Sequence, residues 1–169
     1  LRQLTVNRAF TLVEILIVVV LLALLAAIVI PQFSNASQTA KASMLADNLR
    51  IMRSQIMVFR AQHQGAAPGY PGCDPAQTPT PEQFVAHMTL ASSPAGTTAP
   101  AGTPGFQYGP YIREIPVNPI NNLNTVRLLT TDADFAPSGS SGYAYAPGSL
   151  TLRADCLGAD DTGRLYSDY

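Results

Sequence analysis

Residues 10–30 (FTLVEILIVVVLLALLAAIVI) form an almost unbroken apolar run. From Ile15 to Ile30 no side chain is polar, and only Thr11 and Glu14 interrupt the stretch before that. A helix of this length spans about 30 Å, the thickness of bilayer hydrocarbon, so a membrane-crossing helix is the first expectation. The rest of the chain is too small to cover such a segment on all sides, so it must meet lipid or neighbouring chains. Residues 1–9 carry Arg2 and Arg8 and no acid. The positive-inside rule keeps that end cytoplasmic and puts the bulk of the chain outside.

A secretory signal peptide is the ordinary alternative, and three features argue against it. The run exceeds an h-region of about 7–15 residues. Ala23, Ala26 and Ala27 sit inside the apolar stretch and mark no cleavage site before a polar mature start. Glu14 lies within the segment, where a carboxylate costs several kcal/mol unless paired, neutralised or close to the interface. A charge held there is a functional candidate.

The order Ala9-Phe10-Thr11-Leu12-Val13-Glu14, followed by Ile15-Leu16-Ile17-Val18-Val19, resembles the type III signal of type IV pilins and pseudopilins. Pro31 stands at a distance from the cut where many members of that family have a proline. The resemblance implies cleavage between Ala9 and Phe10 by a cytoplasmic prepilin peptidase, N-methylation of Phe10, and pairing of Glu14 with the Phe10 amine of a neighbouring subunit. The physics agrees, since a buried amine and a buried carboxylate neutralise each other and fix a register. Ala9 departs from the commoner Gly, though it is small. The chain opens on Leu1, which points to an alternative start codon or a truncation.

Beyond Pro31, expected to kink or loosen the helix, the pattern changes. Ala42, Leu45, Leu49, Met52, Ile56 and Phe59 recur at helical spacing, with Lys41, Asp47, Arg50, Arg53 and Arg60 on other faces. One helix from Phe10 to about His63 would be roughly 80 Å long. The stripe reads first as packing against the chain's own sheet, with subunit–subunit packing as the alternative. His63 reads as a helix-end residue.

Residues 65–81 are a Gly/Pro-rich loop. Thr80-Pro81-Glu82-Gln83 predicts a helix start, with Thr80 as cap and Gln83 completing a capping box, and the helix runs to about Ala91. Residues 92–105 form a second loop, and Phe106–Pro119 an extended, packed one. A strand is expected at Thr125–Leu129, and a hairpin from Gly142–Ala146 and Ser149–Asp155 around Pro147-Gly148. The fold class is α+β: a long N-terminal helix on a small antiparallel sheet. The organisation is a leader at 1–9, a transmembrane and assembly half at 10–30, an amphipathic half at 31–64, and a globular exported domain at 65–169.

Arg53–Pro71, with its Arg-Ser-Gln-Ile helix end and Gly-Tyr-Pro turn, is similar to the same region of type II secretion major pseudopilins. That resemblance implies calcium as a candidate ligand of a C-terminal loop, for which Asp155, Asp160 and Asp161 supply oxygen; a solvated acidic loop is the competing reading. Cys73 and Cys156 are candidates for one disulfide, worth roughly 4–5 kcal/mol in the chain-entropy model, against two unpaired thiols. Charged residues make up only 12% of the chain and the net charge is −1. Arg50, Arg53 and Arg60 spread along one helix, so no nucleic-acid partner is expected. His63 and His87 are the only histidines, and no catalytic grouping or phosphate loop has suitable spacing, so an enzyme is not expected.

The leading functional expectation is a type II secretion pseudopilus subunit. It would be a single-pass inner-membrane protein with a periplasmic or extracellular C-terminal domain. It would assemble as a homo-oligomer in a helical filament, with other pseudopilins and an inner-membrane platform as partners. A type IV pilin serving adhesion, motility or DNA uptake is the alternative, and a membrane-anchored binding module that never polymerises is the third.

Overall fold

The computed structural model describes residues 10–169, apart from the side chains of residues 30–35. Ala9 and the rest of the leader therefore lie outside the described residues, as does the Pro31 ring on which the expected kink depends. The chain divides into two compact units, Leu1–Gln38 and Thr39–Tyr169. Helix α1 (Leu12–Gln62) contributes to both.

In the first unit the helix begins where Thr11 caps it. The Thr11 Oγ1 accepts the Glu14 N–H at 3.2 Å, and the Thr11 carbonyl accepts the Ile15 N–H at 3.3 Å. The cap satisfies one of the amides that a helix start leaves unpaired. Thr-x-x-Glu is the sequence signature of a capping box, so Thr11 is more than an interruption of the apolar run.

In the second unit the predicted stripe is the core. Leu45, Leu49, Met52, Ile56 and Phe59 are all essentially sealed from solvent, and Ala42 is buried beside them. Ala42, Leu45, Leu49, Met52 and Ile56 pack in one cluster with Phe84, Met88, Tyr143, Tyr145 and Leu152, while the Phe59 ring packs among His63, His87 and Tyr111. The helix stops where Gln64 turns left-handed (φ 56°) and the Gly65 N–H reaches back to the Arg60 carbonyl at 2.9 Å. Arg53 ties the helix to the sheet, its Nε and Nη2 donating to the Leu152 carbonyl at 3.0 and 2.7 Å.

Helix α2 (Pro81–Thr89) starts as expected, with the Thr80 side chain accepting the Gln83 N–H at 3.1 Å. The expected capping box does not close. The Thr80 N–H already donates to the Gly69 carbonyl at 3.0 Å, so the Gln83 side chain turns instead to His87 at 2.8 Å. A true capping box joins Thr131 and Asp134 around a short 3-10 turn, Asp132–Asp134.

The strands form two small sheets. Strands β1 (Ala91–Ser92) and β2 (Thr98–Ala99) pair antiparallel inside the predicted second loop. Strands β3 (Val126–Leu128), β4 (Tyr143–Ala146) and β5 (Thr151–Ala154) form a sheet in the order β3-β4-β5. The hairpin β4–β5 is antiparallel, as its sequence indicated. The pair β3–β4 is parallel, so the sheet is mixed rather than wholly antiparallel. A parallel return needs a long crossover, here residues 129–142, and nothing local in strand composition reveals the direction of travel. Gly142 ends that crossover because a Cβ there would lie 2.3 Å from the Leu123 carbonyl oxygen. Only glycine permits this approach of two backbones.

Candidate functional site

The candidate site is the exposed apolar helix of the first unit. Leu12–Val29 has a mean hydropathy of 3.3, and none of it is buried within the chain. Leu12 is 82% exposed and Phe10 71%. A continuous apolar surface of this size is incompatible with water, and lipid or neighbouring copies of similar helices are the surroundings that suit it. Glu14 is the acid of the first helical turn. The Thr11 cap holds it one turn from Phe10, which stands outside the helix in irregular backbone. A carboxylate at a helix start faces the positive end of the helix dipole and suits a nearby amine. The capping role of Thr11 went unread in the sequence, although its spacing to Glu14 carried the signal.

The structure does not gather the three candidate calcium aspartates. Asp155 is fully buried, and Arg127 donates to both its oxygens at 3.2 Å. The hydroxyls of Ser138 and Ser141 each donate to it at 2.7 Å, and their backbone N–H groups add two more bonds. Burial alone would raise the Asp155 pKa. The bonds from Arg127, Ser138 and Ser141 outweigh it and hold the carboxyl well below the usual carboxylate range. A guanidinium thus supplies the countercharge, and the carboxylate has no oxygen to spare for a metal. Asp160 closes its own turn, accepting from the Thr162 and Arg164 N–H groups at 2.8 and 3.0 Å and from the Tyr169 hydroxyl. Asp161 accepts from the Thr39 hydroxyl at 3.1 Å. Among the described residues, no group of three or more His, Cys, Asp or Glu is disposed to hold a metal.

The two cysteines are unbonded thiols. Cys156 is buried in the main core and accepts from the Asn118 amide at 2.9 Å, whereas Cys73 packs against Gly96 in a partly exposed turn. Each thiol thus has its own neighbours, and the candidate disulfide is not present here. Burial pushes both thiols up in pKa.

Both histidines are structural and buried. His63 stacks on Phe59 with ring centroids 3.9 Å apart, its Nδ1 lying 2.9 Å from the Phe59 carbonyl. His87 Nδ1 accepts the Gly69 N–H at 3.1 Å, which assigns the ring proton to Nε2, 2.9 Å from the Gly96 carbonyl. Burial pushes its pKa down to about 4, the Gly96 bond opposing and nearby His63 reinforcing the shift. His87 thus pins the Gly/Pro loop and the β1–β2 turn to α2 in its neutral state.

Comparison with known proteins bears on the N-terminal region alone. A family model described as the prokaryotic N-terminal methylation motif matches residues 5–30. No curated protein and no solved structure matches the chain. The matched span covers Ala9, Phe10, Glu14 and the whole of the exposed apolar stretch Leu12–Val29.

Proposed function

We propose that this chain, a type IV pilin-like protein by its N-terminal methylation motif, is a structural subunit of a type II secretion pseudopilus. Proteins with this motif are processed by prepilin peptidase and assembled into pilus-type filaments as structural, non-enzymatic parts. On this reading residues 1–9 are the leader and the cut falls after Ala9. Residues 10–30 are the membrane and assembly half of the helix, 31–64 the amphipathic half, and 65–169 the exported domain. The mature amine of Phe10 would be N-methylated and would pair with Glu14 of an adjacent subunit.

One observation carries the reading. A wholly uncovered apolar helix opens on a capped turn that presents a single carboxylate. Membrane-held subunits store that helix in lipid. Assembly moves it into a core of like helices, where Glu14 is neutralised by the new amine and sets the stagger between subunits. Addition at the filament base would then push folded substrates outward through the outer membrane.

Mass spectrometry of the mature protein should find Phe10 as its first residue, and an intact leader would remove the processing step. Glu14→Ala should insert and be cleaved yet yield few sheared filaments. Loss of exoprotein secretion on deletion, with short fibres seen only on overexpression, supports the pseudopilus. Long surface fibres at native expression would move the assignment to a type IV pilin. A protein monomeric in the membrane under every condition would leave the non-polymerising anchor.

A further inference from the structure

The second unit carries an exposed apolar stripe and an open, partly apolar cleft whose charges mirror each other. The first lies on α1, on the side turned away from the core. Met44, Ile51 and Val58 are 56, 53 and 39% exposed there. Met44, Ile51 and Val58 recur every seven residues, so they lie along one line about 21 Å long. Lys41, Asp47 and Arg50 stand exposed on the same helix. The second is a cleft of about 710 Å³ between α2 and the edge strand β3. Half-buried Val85 and exposed Leu90 offer apolar atoms to it, over the buried core residues Ile115 and Val126, and Glu82, Arg113 and Glu114 stand exposed along it.

The stripe has two cations and one anion; the rim has two anions and one cation. Within one unit the stripe leaves apolar side chains facing water, the cleft stands open, and the six charges have no salt-bridge partner among the described residues. A second copy of the chain supplies what each lacks, a ridge of helix side chains for the cleft and opposite charges for the rim. We propose that the α1 stripe of one copy seats in the α2–β3 cleft of the next. The contact is heterologous, since the two patches differ, and repetition of such a contact gives an open helical array unless its rotation closes a ring. The inference rests on the filament reading and assigns it a contact between exported units, separate from the apolar helices and Glu14. Charge pairing at the rim would set specificity and register more than affinity.

The test is crosslinking of the full chain in membranes. Ser54→Cys on the stripe and Thr89→Cys in the cleft leave every charge in place, and Cys73→Ser removes the partly exposed native thiol. The two variants are co-expressed with different tags and treated with a short bismaleimide. The expected product is a dimer bearing both tags that is absent when either cysteine is omitted. Arg50→Glu should lower its yield at least fivefold, and Glu82→Arg on the other copy should restore it. Wild-type-like filaments without the mixed dimer overturn the contact, as does a dimer indifferent to both charge reversals. A mixed dimer in a chain that never forms filaments supports the contact and removes the filament reading instead.

Discussion

Arg127 on β3 reaches past β4 to Asp155, just beyond the end of β5, and donates to both carboxylate oxygens at 3.2 Å. The pair fastens the two edges of the mixed sheet together. Ser138 and Ser141 add the crossover to the same carboxylate. Asp155→Asn leaves a half-buried guanidinium without its countercharge and should cost about 3 kcal/mol in urea unfolding. Arg127→Met should cost a similar amount, and the double variant less than the sum of the two. A loss below about 0.5 kcal/mol for Asp155→Asn would show that the crossover is held by something else.

The His87 site predicts a pH dependence of the second unit, Thr39–Tyr169. Its pKa is depressed to about 4 in the folded chain, while an unfolded histidine titrates near 6.5. Between those values the unfolded state binds more protons, so stability falls as pH falls through this window. The slope should approach about 1.4 kcal/mol per pH unit. His87→Gln should flatten that part of the curve, measured by denaturant titration at pH 7, 6, 5 and 4.5. A variant with the wild-type slope would assign the acid sensitivity to other groups.

Gly142→Ala should destabilise, because the new Cβ would sit 2.3 Å from the Leu123 oxygen and disturb the bond from Asn118 to the Gly142 carbonyl. About 2 kcal/mol is expected. Gly148→Ala is the matched control, with nothing within 4 Å of its added carbon. Equal thermal midpoints for the two variants would contradict the close approach.

Tyr145 is sealed in the core, its hydroxyl has no hydrogen-bond partner among the described residues, and burial pushes its pKa up. Tyr145→Phe removes an unsatisfied polar group while keeping the ring against Phe84 at 4.7 Å between centroids. Calorimetry should find the variant equal to wild type or up to about 1 kcal/mol more stable. A clear loss would reveal a hydrogen bond to that hydroxyl.

Thr11→Ala removes the cap on α1 and should loosen the first turn by about 1 kcal/mol, whereas Thr11→Ser should retain it. Amide exchange at Leu12, Val13 and Glu14 in detergent micelles reads this directly. Unchanged protection in the alanine variant would refute the cap.

The local signals in the sequence proved sound wherever one element determined the outcome. The stripe from Ala42 to Phe59 is buried residue for residue, since helical spacing alone sets which side chains share a face. Thr80 caps α2, and Pro147-Gly148 turns the β4–β5 hairpin. What escaped were features made by distant partners. The parallel course of β3 depends on the crossover, and the fate of Gln83 on Gly69 having already taken the Thr80 N–H. Asp155 looked like one more acid of a surface loop, because its partner Arg127 lies on another strand and is invisible to local composition. At the N-terminus the apolar run and Glu14 were plain, while the spacing that makes Thr11 a cap was hidden inside the motif that drew attention to Glu14.

The inner face of α1 between Ala42 and Phe59 is already spent on the core of the second unit, with no apolar side chain of that row left to offer. Residues 12–29 are the reverse, committed to nothing within the chain. Exchanging one environment for another around that first stretch therefore draws on no part of the folded core. On the filament reading, a copy that leaves lipid for a core of like helices keeps every contact of its folded unit.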